Sequence, residues 1–406
     1  MKTDHSVDVL RPIRTVDIPH LDAPPAYRKT TPHQGIQRII LPSGHIAYHF
    51  NSYHEVKQVL ADNRFIRSIC NEEGGASFLP VSSPKELLLN IDAPDHARLR
   101  KVVAKDFSST SVALMRKMVV DVMHARLDEM PKSGNIADLF SVVLDHIPST
   151  INCHLMGISP DDRAYYRPLT HTVQIGSQEN IDELLREFGL AYEYLMDLVT
   201  GKRTSRENGL INQFKAARNE SDPPLTDKEL AGILLCILIA GDQNLLSFMT
   251  KGVYTLLAAP SLWNSLVEDP SRIPDMVEEL LRVIPLGTIS TFPRVASVDI
   301  EGSWGKIERD AVVYADAFAA NRDPDVFPDP LAIQSDRKNP KHLQFGYGMH
   351  NCMGASLARM EVIAVLEILI ARLPGLRLAV PANDVPWVHG TILRRPTSLP
   401  VCWPVI

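Results

Sequence analysis

The chain has 406 residues, of which 45% are hydrophobic and 22% charged, a composition typical of a globular protein with a large core. Its net charge of −6 gives no indication of a nucleic-acid or anionic-membrane partner. The longest apolar run, at residues 233–240, is far shorter than the ~20 residues of a membrane span. The N-terminal region lacks the apolar stretch of a signal peptide, and no linker or repeat divides the chain. We therefore expect a cytoplasmic protein in which residues 1–406 form a single domain.

The predicted elements begin with a β-rich part at about residues 35–60, where two short strands flank the turn PSGH and a helix follows. A helical core is predicted at about residues 85–290, because apolar residues recur there at i, i+3 and i+4 spacing. Within it, Thr226 and Glu229 have the spacing of a capping box just before the most apolar stretch.

Strand-like pieces return at residues 293–314, and a turn-rich stretch separates them from a last long helix that starts near Gly354. Residues 387–403 are again strand-like. The fold class is therefore predicted to be mainly α with a minor β part.

The five cysteines lie far apart in the sequence, with no CxxC or metal-finger spacing. An odd number without a recognisable signal peptide favours reduced thiols over disulfides. Cys236 lies inside an apolar helical stretch and Cys153 lies near another, so we expect both to be buried structural thiols.

The segment FGYGMHNCMG, residues 345–354, surrounds one cysteine with glycines. Gly346, Gly348 and Gly354 permit close backbone approach, so that N–H groups and the start of the next helix can be aimed at the sulfur of Cys352. A lone cysteine is by default a core residue, but this setting favours a fixed thiolate. Since no Cys/His motif of the protease type accompanies it, metal ligation is preferred over nucleophilic catalysis.

Extended to FGYGMHNCMGASLAR, this segment resembles the haem-binding signature of the cytochrome P450 superfamily, FGxGxHxCxG followed by xxLAR. The resemblance, to the bacterial soluble type, implies the cytochrome P450 fold, in which haem b lies between a long central helix and the loop that supplies its cysteine ligand. That thiolate favours O–O bond cleavage. The matching residues are Phe345, Gly346, Gly348, His350, Cys352, Gly354, Leu357, Ala358 and Arg359.

An ExxR pair precedes this segment at the place that the family gives it. Glu279 and Arg282 lie on one helical face, which by itself would be a common surface pair. The resemblance adds Arg337 and implies a structural ion network that braces the haem loop.

Two basic residues lie four apart in DHARLR. His96 and Arg100 could form a solvated helix face, but the resemblance assigns them to the haem propionates. It assigns Arg294 and His350 to the same carboxylates.

The stretch AGDQNLL departs from the family pattern of two small residues followed, after one position, by an acid and an alcohol. Ala240 and Gly241 match, whereas Gln243 holds the acid position and Asn244 the alcohol position. Asp242 is acidic but lies one residue early, about 100° around a helix. It would need a helix distortion, which Gly241 permits, to serve as the acid.

This departure leaves three functional alternatives. The preferred one is a monooxygenase that hydroxylates or epoxidises a small hydrophobic molecule, with natural-product tailoring as the setting and protons supplied through water or a substrate hydroxyl. The second is oxidative coupling, ring closure or desaturation without oxygen insertion. The third is a haem protein that does not hydroxylate, such as an isomerase or a ligand-binding sensor.

The resemblance also implies partners and a substrate pocket. Because the chain has no flavin or iron–sulfur region, we expect electrons from a ferredoxin or flavodoxin with its NAD(P)H-dependent reductase, docking near Arg100, Lys101, Lys105 and Arg359. The predicted pocket is mainly apolar, and Asn244 and Thr288 are its candidate hydrogen-bonding groups. Its predicted lining is Leu79, Leu238, Leu245, Leu286, Thr288, Ile289, Ile392 and Leu393.

Overall fold

We describe the protein from a computed structural model, which defines residues 11–12, 36–78, 84–130, 135–172, 181–337, 341–389 and 391–404. Helices predominate in these ranges. The α-helices are α1 (Tyr53–Ala61), α2 (Asp95–Ala104), α3 (Ser109–Asp128), α4 (Leu139–Val142), α5 (Ile147–Met156), α6 (Arg163–Thr172), α7 (Ile181–Thr200), α8 (Leu210–Ala217), α9 (Asp227–Ile239), α10 (Leu245–Ala258), α11 (Pro260–Glu268), α12 (Ile273–Val283), α13 (Ala317–Ala320) and α14 (Ala355–Arg372).

The strands are short. They are β1 (Arg11–Pro12), β2 (Gln37–Ile40), β3 (Ile46–Phe50), β4 (Phe65–Ile66), β5 (Ile136–Asp138), β6 (Arg294–Ala296), β7 (Ile300–Gly302), β8 (Gly305–Ile307), β9 (Val312–Ala315), β10 (Arg377–Leu378) and β11 (Pro400–Cys402). The described sheets have the strand orders β1-β2-β3-β9-β6-β4, β10-β11-β5 and β7-β8. In the largest sheet the β2–β3 hairpin is joined to a distant part of the chain by the parallel pairing Ala47↔Val312.

The main sequence predictions for the fold are confirmed. The hairpin and helix expected at residues 35–60 are β2, β3 and α1, and the strand-like pieces expected at 293–314 are β6 to β9. The last long helix begins at Ala355, directly after Gly354. The fold is mainly helical with minor sheets, as predicted.

Two sheet assignments differ from the prediction. Ile136–Asp138 forms a strand inside the expected helical core, because it pairs with the distant segment Pro400–Cys402. Of the strand-like residues 387–403, only that segment forms a strand, and isolated bridges link Gly287 to Leu393 and Trp387 to Pro396. Such long-range pairings have no local sequence signal.

The longest helical unit, Asp227–Ala258, runs through the core and is called the central helix below. Thr226 caps its start as predicted: the Thr226 side chain accepts from the Glu229 amide at 3.2 Å, and the Glu229 carboxylate accepts from the Thr226 amide at 2.8 Å. This unit has 32 residues with a mean hydropathy of 1.7 in its most apolar window, enough for a membrane span by composition alone. Because 72% of that window is buried inside the protein, the described structure uses it as a core helix.

The packing of α14 fixes the position of the cysteine. Helix α14 packs along α3 and against α12, and α5 contacts both α3 and the central helix. The main hydrophobic core runs through these helices. The loop that precedes α14 therefore leads directly into a helix packed in the main hydrophobic core.

Candidate active site

A cavity of about 400 Å³ lies between the central helix and residues 345–354, which we call the cysteine loop. Cys352 lines it from the loop, and Ala240, Gly241 and Asn244 line it from the central helix. The two segments that the sequence singled out, more than 100 residues apart, thus share one cavity.

The cysteine loop is closed by its own backbone. The Cys352 amide donates to the Phe345 carbonyl at 2.8 Å. Gly348 has φ +71°, and a Cβ on it would lie 2.5 Å from the Leu60 carbonyl oxygen, so only glycine fits this turn. Gly354 differs from the expectation, because its φ of −78° is available to any residue and it serves as the N-cap of α14.

The environment of the Cys352 sulfur has opposing effects on its pKa. Burial raises the pKa, whereas a hydrogen bond from the Gly354 amide and the charges of Arg100 and Arg359 lower it, and burial dominates. The loop therefore gives only part of the stabilisation that a thiolate needs. A cation bound to the sulfur would supply the rest.

Cationic and imidazole groups converge at another part of the cavity wall, where His96, Arg100, Arg294 and His350 all line it. The rings of His96 and His350 meet edge to face with centroids 4.5 Å apart. Within the described chain, Nδ1 of His96 and Nε2 of His350 are buried without a hydrogen-bond partner.

The pKa values record how unfavourable this cluster is for further positive charge. Burial, followed by the charge of Arg294, lowers the pKa of His350 to about 2. Burial and then the charge of Arg100 lower the pKa of His96 to about 4. Burial and the nearby Arg67 lower the pKa of Arg294 to about 10. Unpartnered ring nitrogens beside buried guanidinium groups fit the two carboxylates of a haem.

Arg67 belongs to this cluster and was missed by the sequence analysis. It is 4% exposed and lines the cavity, but its guanidinium is already engaged by Leu89, Asn90 and Pro293 at 2.7–3.2 Å. It therefore contributes charge and rigidity. No sequence feature separates it from a surface arginine.

The ExxR residues form a buried network, as the resemblance implied. Arg282 binds the Glu279 carboxylate through two hydrogen bonds of 2.7 and 2.8 Å, and Arg337 adds a third at 3.0 Å. Burial alone would raise the pKa of Glu279, but these hydrogen bonds outweigh it and lower the pKa. The remaining Arg282 donors bind the carbonyl oxygens of Asn321, Pro330 and Ala332.

A second ion cluster, which the sequence analysis missed, joins α12 to α14. Glu278 accepts two hydrogen bonds from Arg359, at 2.5 and 3.0 Å, and lies 3.1 Å from His342 Nε2. The Arg359 guanidinium also lies 4.6 Å from the centre of the Phe345 ring. Burial opposes ionisation, yet the bonds from His342 and Arg359 lower the pKa of Glu278 to about 2.

This cluster corrects the proposed docking residues. The Arg359 guanidinium is bound by Glu278, and Arg100 lines the cavity while donating to the Met349 carbonyl at 3.1 Å. Of the four candidates, Lys101 and Lys105 are the exposed ones.

A helix distortion of the kind that Gly241 permits is present, but it does not give Asp242 the role of the acid at the cavity. Residues Ala240–Asn244 form a π-helical turn. Ala240, Gly241 and Asn244 line the cavity, whereas Asp242 and Gln243 are buried outside its lining. The Asp242 carboxylate lies 3.8 Å from Arg167 Nε instead. The π turn therefore does not bring Asp242 to the cavity.

Asn152 on α5 packs against the π turn and binds a carbonyl group just before it. Its Nδ2 donates to the Leu238 carbonyl oxygen at 3.0 Å. A Cβ on Gly241 would lie 3.0 Å from Asn152 Oδ1, so a larger residue there would require the Asn152 side chain to shift by a few tenths of an ångström. Asn152 thus binds a carbonyl group next to the point where the regular α-helical bonding changes.

Glu361 is a further titratable group that the sequence analysis missed. It lies on α14, lines the cavity, and is 1% exposed. Its Oε2 has no hydrogen-bond partner among the described residues. Burial, and then the Asp242 charge, raise the pKa of Glu361 well above its ordinary value. An acid within the apolar stretch MEVIAVL is the signal that could have found it.

The predicted substrate pocket is only partly reproduced by the cavity lining. Leu245 and Leu286 line the cavity. Thr288 is fully buried and its amide donates to the Ile392 carbonyl at 2.8 Å, because the two segments pair with each other. Leu238, Thr288, Ile289, Ile392 and Leu393 are not among the lining residues, and Leu79 lies outside the described residues. Apolar lining residues that the prediction omitted include Ile151, Leu155, Ile237, Phe248 and Phe292.

Comparison with known proteins gives consistent matches along the chain. The profile of the cytochrome P450 family matches residues 178–386. Nocardicin C N-oxygenase of Nocardia uniformis subsp. tsuyamanensis is 35% identical, over 94% of this chain and 96% of that protein. Mycinamicin IV hydroxylase/epoxidase of Micromonospora griseorubida is 34% identical, over 91% of this chain and 92% of that protein. A solved cytochrome P450 with biaryl coupling reactivity is 33% identical with a TM-score of 0.89, over 95% of this chain and 97% of that one.

Proposed function

This chain belongs to the cytochrome P450 family, and from that premise we propose that it inserts one oxygen atom from dioxygen into a small, mainly apolar organic molecule. The reactions we expect are hydroxylation or epoxidation in the tailoring of a natural product. One observation carries the proposal: Cys352, the small residues of the central helix and a buried cationic cluster line the same cavity. Two relatives named as an N-oxygenase and a hydroxylase/epoxidase support oxygen insertion.

The donor set suits haem b. Cys352 would bind the iron through its sulfur, and His96, Arg100, Arg294 and His350 would hold the propionates through their N–H groups. When bound, the haem supplies the activation of dioxygen. The loop residues expected to surround it are Phe345, Gly346 and Gly354.

The residues of the π turn have separate proposed roles. Ala240 and Gly241 leave room in the cavity because neither has a side chain beyond Cβ. The Asn244 amide can donate and accept hydrogen bonds at the same time, so it would orient water or a substrate hydroxyl. Since an amide does not titrate, Asn244 does not itself provide a proton. Gln243 is a buried residue of this turn and lies outside the cavity lining, so we give it no contact with the substrate.

Glu361 is the proton donor that we propose for the cavity. Burial raises the pKa of its carboxyl group well above the ordinary value and so favours the protonated form, and Oε2 has no hydrogen-bond partner among the described residues. Asp242 lies within electrostatic range of Glu361 and 3.8 Å from Arg167. Arg167 lines an open depression at the surface, so this series of groups would connect Glu361 to solvent.

The cavity lining indicates the class of substrate. Leu245, Phe248 and Leu286 give it an apolar wall. The Thr291 hydroxyl at the wall donates to the Ala315 carbonyl at 2.6 Å and is therefore already engaged. We expect an apolar molecule that makes one or two hydrogen bonds, with Asn244 as a principal partner.

Electron delivery would come from another protein. We propose a ferredoxin or flavodoxin reduced by an NAD(P)H-dependent reductase, which would approach the side of α2 where Lys101 and Lys105 are exposed. We also keep the expectation that the enzyme acts in the cytoplasm.

The decisive experiment follows oxygen from labelled dioxygen. Purified enzyme with a ferredoxin system and apolar candidate substrates is expected to give a product that carries one labelled oxygen atom. A reduced, carbon monoxide-bound spectrum without the red-shifted Soret band of thiolate-ligated haem, in correctly folded protein, would contradict the proposal.

Oxidative coupling, ring closure or desaturation is the second candidate. It is favoured by the replacement of the acid and alcohol positions by Gln243 and Asn244, of which Gln243 does not line the cavity. A related structure with biaryl coupling reactivity supports the same class. Turnover to a product without labelled oxygen would select this candidate over the first.

A further inference from the structure

A buried lysine supports the cavity wall from behind. Lys251, on α10, is 1% exposed, and its Nζ donates to the carbonyl oxygens of Pro285 and Leu286, the latter at 2.5 Å. No ion pair joins Nζ to a carboxylate of the described chain, and Arg394 is the charged group that influences it. The side chain spans the gap between the central helix and the segment that follows α12.

The free-energy cost of burying the Lys251 amine indicates that this residue serves to position the backbone that it binds. A buried amine without an acidic partner is unfavourable, and burial together with the Arg394 charge lowers the pKa of Lys251 well below its ordinary value. An apolar side chain of the same length would fill the space at lower cost. What the lysine adds is a pair of donors for two consecutive carbonyl groups.

The segment 285–288, which Lys251 binds on one side, is bound on its other side by the C-terminal residues Ile392 and Leu393. The Thr288 amide donates to the Ile392 carbonyl at 2.8 Å, and Gly287 is bridged to Leu393. A Cβ on Gly287 would lie 2.3 Å from the Ile392 oxygen, so the two backbones touch. Residues 285–288 are thus fixed between the central helix and the C-terminal segment, while the Leu286 side chain lines the cavity.

We propose that Lys251 is a specificity-positioning residue: by holding the carbonyl groups of Pro285 and Leu286, it fixes the Leu286 side chain at the cavity wall and so selects which ligands fit. The proposal deepens the proposed function and rests on it only in taking the cavity as the ligand site. Lys251 touches no ligand itself and acts through Leu286.

The first test is amide hydrogen exchange, which needs no ligand. Lys251→Met is expected to speed exchange at the Thr288 amide, which binds the Ile392 carbonyl, about tenfold, since each lost hydrogen bond to a charged or polar partner is of that order. Lys215→Met is the matched control, because Lys215 Nζ binds a single carbonyl, that of Leu198, at 3.3 Å outside the cavity lining. Unchanged exchange at the Thr288 amide would overturn the proposal.

The second test compares two probes that bind ferric haem, imidazole and 4-phenylimidazole, by their spectral shifts. Lys251→Met is expected to weaken 4-phenylimidazole binding about tenfold and imidazole binding no more than about twofold, because only the larger ligand needs an ordered Leu286. With Leu286→Ala already present, Lys251→Met should change the ratio of the two affinities less than about twofold.

The outcomes of the two tests distinguish a failure of the Lys251 proposal from a failure of the proposed haem function. Equal weakening of both ligands, or the same effect with and without Leu286→Ala, would mean that Lys251 stabilises the fold in general, and the proposal fails. If neither probe shifts the spectrum, the haem assignment fails while hydrogen exchange still decides the role of Lys251. If Lys251→Met does not fold, Lys251→Gln, which keeps part of the donor capacity, replaces it with a smaller expected effect.

Discussion

The Cys352 sulfur and the cationic cluster on the cavity wall need partners of opposite charge. Burial raises the pKa of Cys352 despite Arg100, Arg359 and the Gly354 amide, so its thiolate requires a cation. The buried nitrogens His96 Nδ1 and His350 Nε2 have no hydrogen-bond partner among the described residues and, in the tautomer that protonates them, can donate to an acceptor. A haem carries a metal cation and two carboxylates in one rigid molecule, and thereby satisfies both requirements.

A change of the ligand residue should separate haem binding from thiolate chemistry. Cys352→His is expected to retain haem, because imidazole can bind iron and the cationic cluster is intact, but to lose the red-shifted Soret band and nearly all oxygen insertion. The carbon monoxide difference spectrum measures this. Cys236→Ser is the matched control, since Cys236 lines the same cavity and should keep the band. A red-shifted band in Cys352→His would contradict the assignment.

Removal of the proposed proton donor should uncouple the reaction. We expect Glu361→Gln to lower product formed per reductant consumed by about a hundredfold, the lower end of the effect of a positioned general acid, while haem binding is unchanged. Glu367→Gln on the same helix is the control, because Glu367 pairs with Arg116 near the surface. Full coupling in Glu361→Gln would show that protons arrive by another route.

The same substitution should alter the pH dependence of stability. The pKa of Glu361 is raised in the folded state. The contribution of this residue to the free energy of unfolding is therefore fully present below its ordinary pKa and is lost as pH rises through the pKa of the folded state. Glu361→Gln cannot ionise. Relative to the wild type, its free energy of unfolding should therefore increase as pH rises from 5 to 8, and denaturant titrations at both pH values would detect a trend of the opposite sign.

At the scale of elements, the π turn depends on a neighbour from another helix. Asn152→Ala is expected to cost about 1–3 kcal/mol of unfolding free energy, because it removes the partner of a buried carbonyl group. Equilibrium urea unfolding measures it. Asn212→Ala is the matched control: Asn212 also binds a carbonyl, that of Arg206 at 2.7 Å, but is partly exposed. An equal loss in both variants would remove the special role of Asn152.

The ion pair between Glu278 on α12 and Arg359 on α14 should make the stability of the protein depend on pH. The pKa of Glu278 is lowered to about 2, so its stabilisation is present above the ordinary value near 4.5 and is lost as pH falls through 2. Glu278→Gln should therefore lower the free energy of unfolding by about 1–3 kcal/mol at pH 7 and by less at pH 3. This range already allows for solvent screening, because Glu278 is partly exposed. Urea unfolding at the two pH values checks this; a difference independent of pH would contradict the ion-pair assignment.

At the scale of the whole molecule, the proposed function requires electron transfer from a partner protein to the buried site. Reversing the charge of Lys101 and Lys105 should slow reduction by an acidic ferredoxin about tenfold at low salt, with little effect at high salt. Stopped-flow trapping of the reduced enzyme with carbon monoxide measures the rate. Lys306→Glu, on the β7–β8 hairpin, is the control. Equal rates in all variants would place the docking surface elsewhere.

Much of the fold could be predicted because its signals are local. Helical periodicity and the Thr226 cap depend on neighbours a few residues away, and both were found where expected, as were the positive φ angles of Gly346 and Gly348. The strand Ile136–Asp138 was missed because its partner lies more than 250 residues later. The substrate lining was only partly right for a related reason: the pairing of Thr288 with Ile392 buries residues that the segment boundaries alone suggested as lining.

The sequence by itself determined the family, because the family motifs are contiguous residues or fixed spacings. The same motifs predict the cysteine proposed to bind haem and the ExxR network, and they show the unusual residues of AGDQN. Only the tertiary structure decided where the buried charges lie. It placed Asp242 beside Arg167 instead of at the cavity, brought Glu361 to the cavity, and set Lys251 against two carbonyl groups. Burial and pairing depend on which distant helices pack together, and those contacts determine the protonation state and role of each group.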